Sequence, residues 1–331
     1  MNEQPRSDVH RIFNLDGGPS FDQLALEVFR HQFANNAVYA EYCSALAVDP
    51  DGVRRLADIP FLPVELFKSR KVYASAGPAE KTFSSSGTTG SLVSKHHVAR
   101  LAVYEQSFRQ CFRHFYGDPR RYCILALLPG YLERRDSSLV YMARGLMDLS
   151  GHPEGGFYLD QVDVLATKLR KLMDDGEKVL LLGVSHALLE LAERHPMPLP
   201  HAIVMETGGM KGRRREMVRE ELHATLCDAF TKEVIHSEYG MTELLSQAYS
   251  KGRGFFACPP WMRVLIRDTN DPLSLAEDGR SGGINVIDLA NIHSCSFIAT
   301  QDLGRMCPMA HFQVLGRFDH SDTRGCNLLL G

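Results

Sequence analysis

Apolar residues recur at helical spacing between residues 21 and 47, and Asp49-Pro50 then ends the pattern. A three- and four-residue spacing of this kind predicts an amphipathic helix, which we expect over 21–47. The segment 59–64 reads IPFLPV and carries two prolines, which the interior of a helix does not tolerate. We therefore expect an extended strap over 59–64, followed by a short helical stretch over 65–71.

Short apolar runs then alternate with amphipathic segments. The runs predicted as strands are 121–129, 178–184, 201–207 and 233–237. The segments predicted as helices are 98–116, 137–150, 161–175, 185–195 and 211–230. This alternation is typical of βαβ units, and near-continuous apolar strands such as LLLGV suit a parallel sheet flanked by helices on both faces. The pattern predicts an α/β fold.

The helical spacing fades after Cys258, where strand-like pieces separated by Gly, Pro, Asn and Asp take over. These pieces are 263–267, 283–288, 296–300 and 312–315. We therefore predict an α/β core over 1–257 and a small β-rich subregion with the C-terminal tail over 258–331.

Composition narrows the classes of protein. The chain has 331 residues, of which 44% are hydrophobic and 23% charged, and this excludes a mostly disordered protein. A net charge of -3 gives no overall field toward nucleic acid or an anionic membrane, so we expect neither as a partner. The chain contains no apolar run of membrane-spanning length and no CxxC pair among its eight cysteines, which favours a cytoplasmic protein with reduced thiols and no membrane span.

The segment 82–90, TFSSSGTTG, is the most informative part of the sequence. Small hydroxyl residues between glycines let a loop bend tightly and expose successive backbone N–H groups to an anion. The segment has the form of a phosphate-binding loop, although it is not a GxxxxGK[ST] loop, because the nearest lysine is Lys95. A flexible Ser/Gly-rich linker is the alternative interpretation.

A second segment, 236–247, reads HSEYGMTELLSQ. Tyr239-Gly240 would end a strand and leave the tyrosine ring placed to stack on a flat ligand, while Glu243 could hold a metal at the start of the next helix. The alternative is a helix N-cap, in which Thr242 caps the helix and Glu243 favours its dipole.

Two further segments are 300–304 (TQDLG) and 316–319 (GRFD). An exposed aspartate in such a position can accept two hydrogen bonds from a ribose diol. An ordinary turn is the alternative for each.

In this order, the four segments resemble the successive core motifs of the adenylate-forming ligase superfamily, and Gly208-Gly209 resembles the glycine pair of its adenine pocket. Within that superfamily, the sequences IPFLPVELFK and GRFDHSDTRGCNLLLG resemble the acyl-protein synthetases of the LuxE type. The resemblance extends over about residues 20 to 331.

The resemblance implies roles for individual residues. A loop would hold the phosphates of ATP, Tyr239 would stack on its adenine, and Asp302 with Arg317 would bind its ribose. Thr242 would lie near the α-phosphate, and Glu243 would bind Mg²⁺. The loop and turn residues that the resemblance assigns to nucleotide binding are Ser85, Ser86, Gly87, Thr88, Thr89, Gly90, Gly208, Gly209 and Gly240.

The sequence departs from the superfamily in two places. The loop continues as SLVSKHH where the superfamily has Pro-Lys-Gly, so a phosphate role for Lys95 is in doubt. Superfamily ligases also continue past the GRxD motif into a mobile domain of about a hundred residues with a catalytic lysine, whereas this sequence ends twelve residues after Asp319. We therefore expect that domain to be absent.

The LuxE-type proteins that this sequence resembles share this truncation. In these proteins the acyl group passes to a cysteine near the C-terminus. Cys326 occupies the matching position, and the neighbouring Arg324 would favour its thiolate. We thus expect ATP-dependent activation of a fatty or aromatic carboxylic acid, loading on Cys326, and transfer to an acyl-reductase or another acceptor protein. A phenylacetate-type acyl-CoA ligase and a non-catalytic nucleotide-binding subunit are the alternatives.

Overall fold

The structure of the chain is a computed structural model, and it describes residues 4–15, 19–85, 92–129, 136–208 and 217–318. The described helices are α1 Gln4–Phe13, α2 Pro19–Asn35, α3 Ala37–Ala45, α4 Leu66–Ser69, α5 Leu101–Tyr116, α6 Ser138–Ser150, α7 Val162–Asp174, α8 Ser185–Arg194 and α9 Arg219–Phe230. The described strands are β1 Leu62–Pro63, β2 Lys81–Ser84, β3 Lys95–Val98, β4 Cys123–Leu127, β5 Gly156–Tyr158, β6 Val179–Gly183, β7 Ala202–Glu206, β8 His236–Tyr239, β9 Ala248–Ser250, β10 Phe256–Ala257, β11 Met262–Arg267, β12 Ser281–Asp288, β13 Phe297–Cys307 and β14 His311–Arg317.

One large mixed sheet organises the described residues. Its strand order is β11-β12-β13-β14-β10-β9-β8-β7-β6-β4-β5, and β1 pairs with β13. The strands from β4 to β8 run parallel, joined by helical crossovers, whereas β8 to β14 pair antiparallel. Every residue of β4 and β6 is buried, as their apolar runs predict. The α/β prediction is confirmed, and the boundary after residue 257 stays a prediction.

The helix predicted over 21–47 is divided into α2 and α3. Asn36 lies between them with an extended backbone, and its side chain accepts a hydrogen bond from the Tyr39 N–H. The Asn36 side chain also donates to the carbonyl of Ser294 at 2.9 Å. An N-cap of this kind begins a new helix with a new direction, which periodicity alone does not reveal.

The proline-rich strap crosses the β-rich part of the sheet. Leu62 and Pro63 pair in parallel with Ile298 and Ala299 of β13, and α4 follows as predicted. The side chain of Gln301 donates a hydrogen bond of 2.6 Å to Glu65. The strap therefore fixes the strand that leads into the TQD sequence.

A β-hairpin, β2–β3, was not predicted. Its strands pair antiparallel from Lys81↔Val98 to Ser84↔Lys95 and bracket the loop singled out in the sequence. His96 and His97 lie in β3. The helix predicted over 98–116 is α5, which begins only at Leu101. No helix among the described residues is both long enough and apolar enough to cross a bilayer.

Candidate functional site

The stem of the hydroxyl-rich loop is held by reciprocal hydrogen bonds. The Ser85 N–H donates to the Ser94 carbonyl at 3.1 Å, and the Ser94 N–H donates to Ser85 Oγ at 3.0 Å. Ser84 is also anchored, because its N–H donates to the Asp136 carbonyl at 2.9 Å. The two ends of the loop are therefore fixed. The loop residues Ser86, Gly87, Thr88, Thr89 and Gly90 lie outside the described residues.

The same hairpin is attached to the turn that carries Thr242 and Glu243. His96 is fully buried, and its Nδ1 donates a hydrogen bond of 2.8 Å to the Thr242 carbonyl. The Ser94 hydroxyl lies against the Glu243 carboxylate. Motifs separated by about 150 residues are thus brought together by two hairpin side chains.

The prediction of a helix after Tyr239-Gly240 is wrong. Residues 240–247 form a turn and an extended segment between β8 and β9. A fully buried carboxylate explains this conformation: Asp288 accepts hydrogen bonds from the backbone N–H groups of Leu245 at 2.8 Å and Ser246 at 2.9 Å. Side-chain acceptors of this kind replace the intrahelical bonds that the segment would otherwise make. The N-cap interpretation of Thr242 is therefore excluded.

Glu243 is a buried carboxylate, with a side chain 4% exposed. Burial raises its pKa, and the Ser94 hydroxyl and the charges of Arg317 and Lys68 act in the opposite direction. Within the described part of the chain, no lysine, arginine or histidine forms an ion pair with it. A buried carboxylate without a cationic partner is unfavourable in the folded state, so the site fits a bound cation such as Mg²⁺.

Tyr239, Asp302 and Arg317 form one connected group. The Tyr239 hydroxyl donates to Asp302 Oδ2 at 2.8 Å, and Arg317 Nε donates to Asp302 Oδ1 at 3.1 Å. Asp302 and Arg317 are also directly paired in β13 and β14. Burial, followed by the nearby Asp302 charge, raises the pKa of Tyr239 well above its usual value. All three residues that the resemblance assigns to the adenosine therefore meet at one point.

The position of Asp302 depends on residues around the start of the TQD sequence. Thr300 Oγ1 accepts a hydrogen bond from the Asp302 N–H at 3.1 Å, and the Thr300 carbonyl accepts one from buried Arg267 at 2.5 Å. A Cβ on Gly283 would lie 2.3 Å from the Arg267 guanidinium, so a larger residue there would displace this arginine from its hydrogen bonds. The sequence analysis missed Arg267, whose only signal was a lone arginine at the end of an apolar strand.

Gly208 and Gly240 lie at the same edge of the sheet. They follow the carboxyl ends of the neighbouring parallel strands β7 and β8, where α/β proteins commonly bind ligands. The two strand ends are joined by a hydrogen bond from Thr207 Oγ1 to Glu238 Oε2. Gly208 has a φ of 46°, which favours glycine.

Glu206 anchors this edge and was not found from the sequence. Its Oε2 accepts hydrogen bonds from the Gly208 N–H at 3.0 Å and Ser185 Oγ at 3.3 Å. Burial alone would raise its pKa, but contacts with His223 and Arg219 outweigh burial and lower it to about 2. Gly209, the second glycine of the predicted Gly208-Gly209 pair, lies outside the described residues, as does the predicted acyl acceptor Cys326.

The chain is similar in sequence to known acyl-protein synthetases. A family described as "Acyl-protein synthetase, LuxE" matches residues 15–129, which confirms the resemblance for that part of the chain, including the sequence IPFLPVELFK. A Photorhabdus luminescens protein named "Long-chain-fatty-acid--luciferin-component ligase" is 38% identical over 69 residues. Those residues are 20% of this chain and 59% of that protein, so the chain spans less than two thirds of the relative it matches.

Solved structures share the fold over most of the chain. A 2-hydroxyisobutyryl-CoA ligase in an open conformation with 2-HIB-AMP and CoA matches with a TM-score of 0.68, over 93% of this chain and 77% of that one, at 11% identity. ATP-bound MatB from Rhodopseudomonas palustris matches with a TM-score of 0.54, over 74% and 50% of the two chains, at 15% identity. The fold is that of the adenylate-forming ligases, as predicted.

Proposed function

We propose that the protein activates a carboxylic acid with ATP and transfers the acyl group to Cys326. In the first half-reaction, a carboxylate oxygen attacks the α-phosphorus of ATP, the bond to the bridging oxygen breaks, and pyrophosphate leaves. The observation that carries the proposal is the convergence of a tyrosine ring, a carboxylate and a guanidinium at Tyr239, Asp302 and Arg317, which supports an adenosine site there.

The second group supports phosphate binding. The anchored stem of the loop contacts the turn that carries Thr242 and Glu243, through Ser94 and His96. When bound, Mg²⁺ would neutralise charge on the phosphate oxygens. Glu243 would hold the cation, and the loop hydroxyl and N–H groups would orient the phosphates.

The second half-reaction is an acyl transfer. The Cys326 thiolate attacks the acyl carbon, the bond from that carbon to the AMP oxygen breaks, and AMP leaves with a thioester on the protein. The proposal for Cys326 is supported by the LuxE match and by the other cysteines. Burial raises the pKa of several of them, including Cys43 and Cys123 to about 11, which makes them poor nucleophiles at neutral pH.

We further propose a fatty acid as the substrate, because the curated relative is named for a long-chain fatty acid. An acyl-reductase or another acceptor protein would receive the acyl group. A cytoplasmic location agrees with ATP as a substrate and with free thiols at all seven described cysteines.

The test uses ATP, Mg²⁺ and a panel of radiolabelled carboxylic acids of different chain lengths. We expect label on the wild-type protein that neutral hydroxylamine removes, and no label on Cys326→Ser, which should still release pyrophosphate. Cys307→Ser is the control, because Cys307 is a partly exposed thiol with no proposed role, and this variant should label normally.

The outcomes separate the alternatives. Label that persists in Cys326→Ser would place the acceptor elsewhere. A CoA thioester formed without any protein-bound label would favour an acyl-CoA ligase. ATP binding without pyrophosphate release for any acid would favour a nucleotide-binding subunit and contradict the proposed enzyme.

A further inference from the structure

Two fully buried side chains hold consecutive backbone carbonyls behind the Thr242–Glu243 turn. His96 Nδ1 donates to the Thr242 carbonyl at 2.8 Å, and Asn291 Nδ2 donates to the Glu243 carbonyl at 2.7 Å. Both side chains have 0% exposure. The backbone that carries the Glu243 carboxylate is therefore fixed by two hydrogen bonds from buried side chains.

The two carbonyls dictate the orientation of both side chains. A carbonyl oxygen only accepts hydrogen bonds, so His96 must carry its hydrogen on Nδ1, and Nε2 of the neutral ring is then an acceptor. For the same reason, the Asn291 amide turns its nitrogen toward Glu243 and its Oδ1 away. Burial lowers the pKa of His96 to about 4, which agrees with a neutral ring. Both remaining polar atoms are thus acceptors.

The two side chains also contact each other. The Asn291 side chain lies against the His96 ring. Within the described residues, neither His96 Nε2 nor Asn291 Oδ1 makes a well-aligned hydrogen bond. His96 and Asn291 therefore pack as one unit behind the turn, and each holds one of its two carbonyls.

We propose that His96 and Asn291 are positioning residues for Glu243, because each holds one backbone carbonyl of the turn that carries this carboxylate. The role assigned to Glu243 rests on the proposed function; the tautomer of His96 does not.

Two variants of similar size separate positioning from general packing. In His96→Asn, the amide group lies near the position of Nδ1 and can still donate a hydrogen bond to the Thr242 carbonyl. In His96→Gln, the amide group lies near the position of Nε2, so this hydrogen bond is lost. We expect His96→Gln to raise the Mg²⁺ concentration for half-maximal pyrophosphate release about tenfold, because one hydrogen bond is lost. His96→Asn should raise the same concentration less than about threefold. The KM for ATP should change little in either, because Tyr239 and Asp302 are untouched.

The matched control is His97→Gln, since His97 contacts Thr82 and not the turn. Its Mg²⁺ dependence should equal that of the wild type. Equal shifts in His96→Asn and His96→Gln would overturn the positioning role, because they would indicate packing alone.

One measurement on the wild-type protein needs neither activity nor a variant. Nitrogen-15 NMR should show His96 as the neutral Nδ1–H tautomer between about pH 6 and about pH 8. An Nε2–H tautomer or an imidazolium would overturn the inference. Absence of pyrophosphate release by the wild type would instead contradict only the proposed function.

Discussion

The Tyr239 hydroxyl donates a hydrogen bond of 2.8 Å to Asp302 Oδ2, although the two residues are 63 positions apart. Arg317 occupies the other oxygen of the same carboxylate. The groups proposed for adenine and for ribose are therefore already connected within the protein. Asp302 is held in one orientation by two partners, and a diol that binds there would share or replace these hydrogen bonds.

Tyr239→Phe keeps the ring and removes this hydrogen bond. Because a hydrogen bond to a charged group contributes about 1.5–3 kcal/mol, we expect the KM for ATP in pyrophosphate exchange to rise about tenfold or more, with a smaller change in kcat. Tyr122→Phe is the control, since it removes a hydrogen bond to the Tyr116 carbonyl. An unchanged KM for ATP in Tyr239→Phe would contradict the adenosine assignment.

Glu243→Gln should affect activity and stability in opposite directions. Burial raises the pKa of Glu243, so its ionised form lowers the stability of the metal-free protein at pH 7, and the neutral amide relieves this. We expect the Tm without Mg²⁺ to rise by about 1–3 °C, while pyrophosphate release falls at least about a hundredfold and no longer responds to Mg²⁺. A variant that retained its Mg²⁺ response would exclude Glu243 as the ligand.

Asp288→Asn should loosen the Glu243 turn and destabilise the fold. The carboxylate accepts hydrogen bonds from the backbone N–H groups of Leu245, Ser246 and Ala290. In asparagine, an NH₂ group replaces one of the two oxygens and would face N–H donors instead of accepting from them. We expect a loss of about 3 kcal/mol in the free energy of unfolding, measured by urea denaturation. Asp271→Asn, in an exposed turn, should change it by less than about 0.5 kcal/mol.

Three histidines predict a loss of stability in mild acid. Burial lowers the pKa of His96, His236 and His293 from 6.5 to about 4. The unfolded chain therefore binds protons first, and stability falls as pH decreases from about 6.5 toward about 4. Urea midpoints should decline over this range, and His236→Gln should reduce the slope. An equal slope in the variant would show that His236 is not protonated on unfolding in this range.

Much of the parallel sheet follows from local sequence. The apolar runs of β4 and β6 predict buried strands because each residue needs only to face a covering helix. The strap over 59–64 is likewise determined by proline chemistry, which excludes a helix wherever the segment lies. The motifs around Tyr239 and Asp302 are also visible in the sequence, since their residue types indicate the chemistry without the fold.

Other features depend on partners far along the chain. The sequence after Tyr239 has helical spacing, yet Asp288 satisfies its N–H groups and holds it as a turn. His96 directly precedes the helix predicted over 98–116, but pairing with β2 and a hydrogen bond to the Thr242 carbonyl place it in a strand, where its side chain is buried.

The sequence by itself determined which chemical groups the site contains and which segments form the parallel core, because both follow from residue type and spacing. Only the tertiary structure decided that Tyr239 meets Asp302, that Ser94 and His96 reach the Glu243 turn, and that Asp288 and Asn291 brace it. The physical reason is that hydrogen bonds between distant residues, made where water is excluded, override local conformational preference.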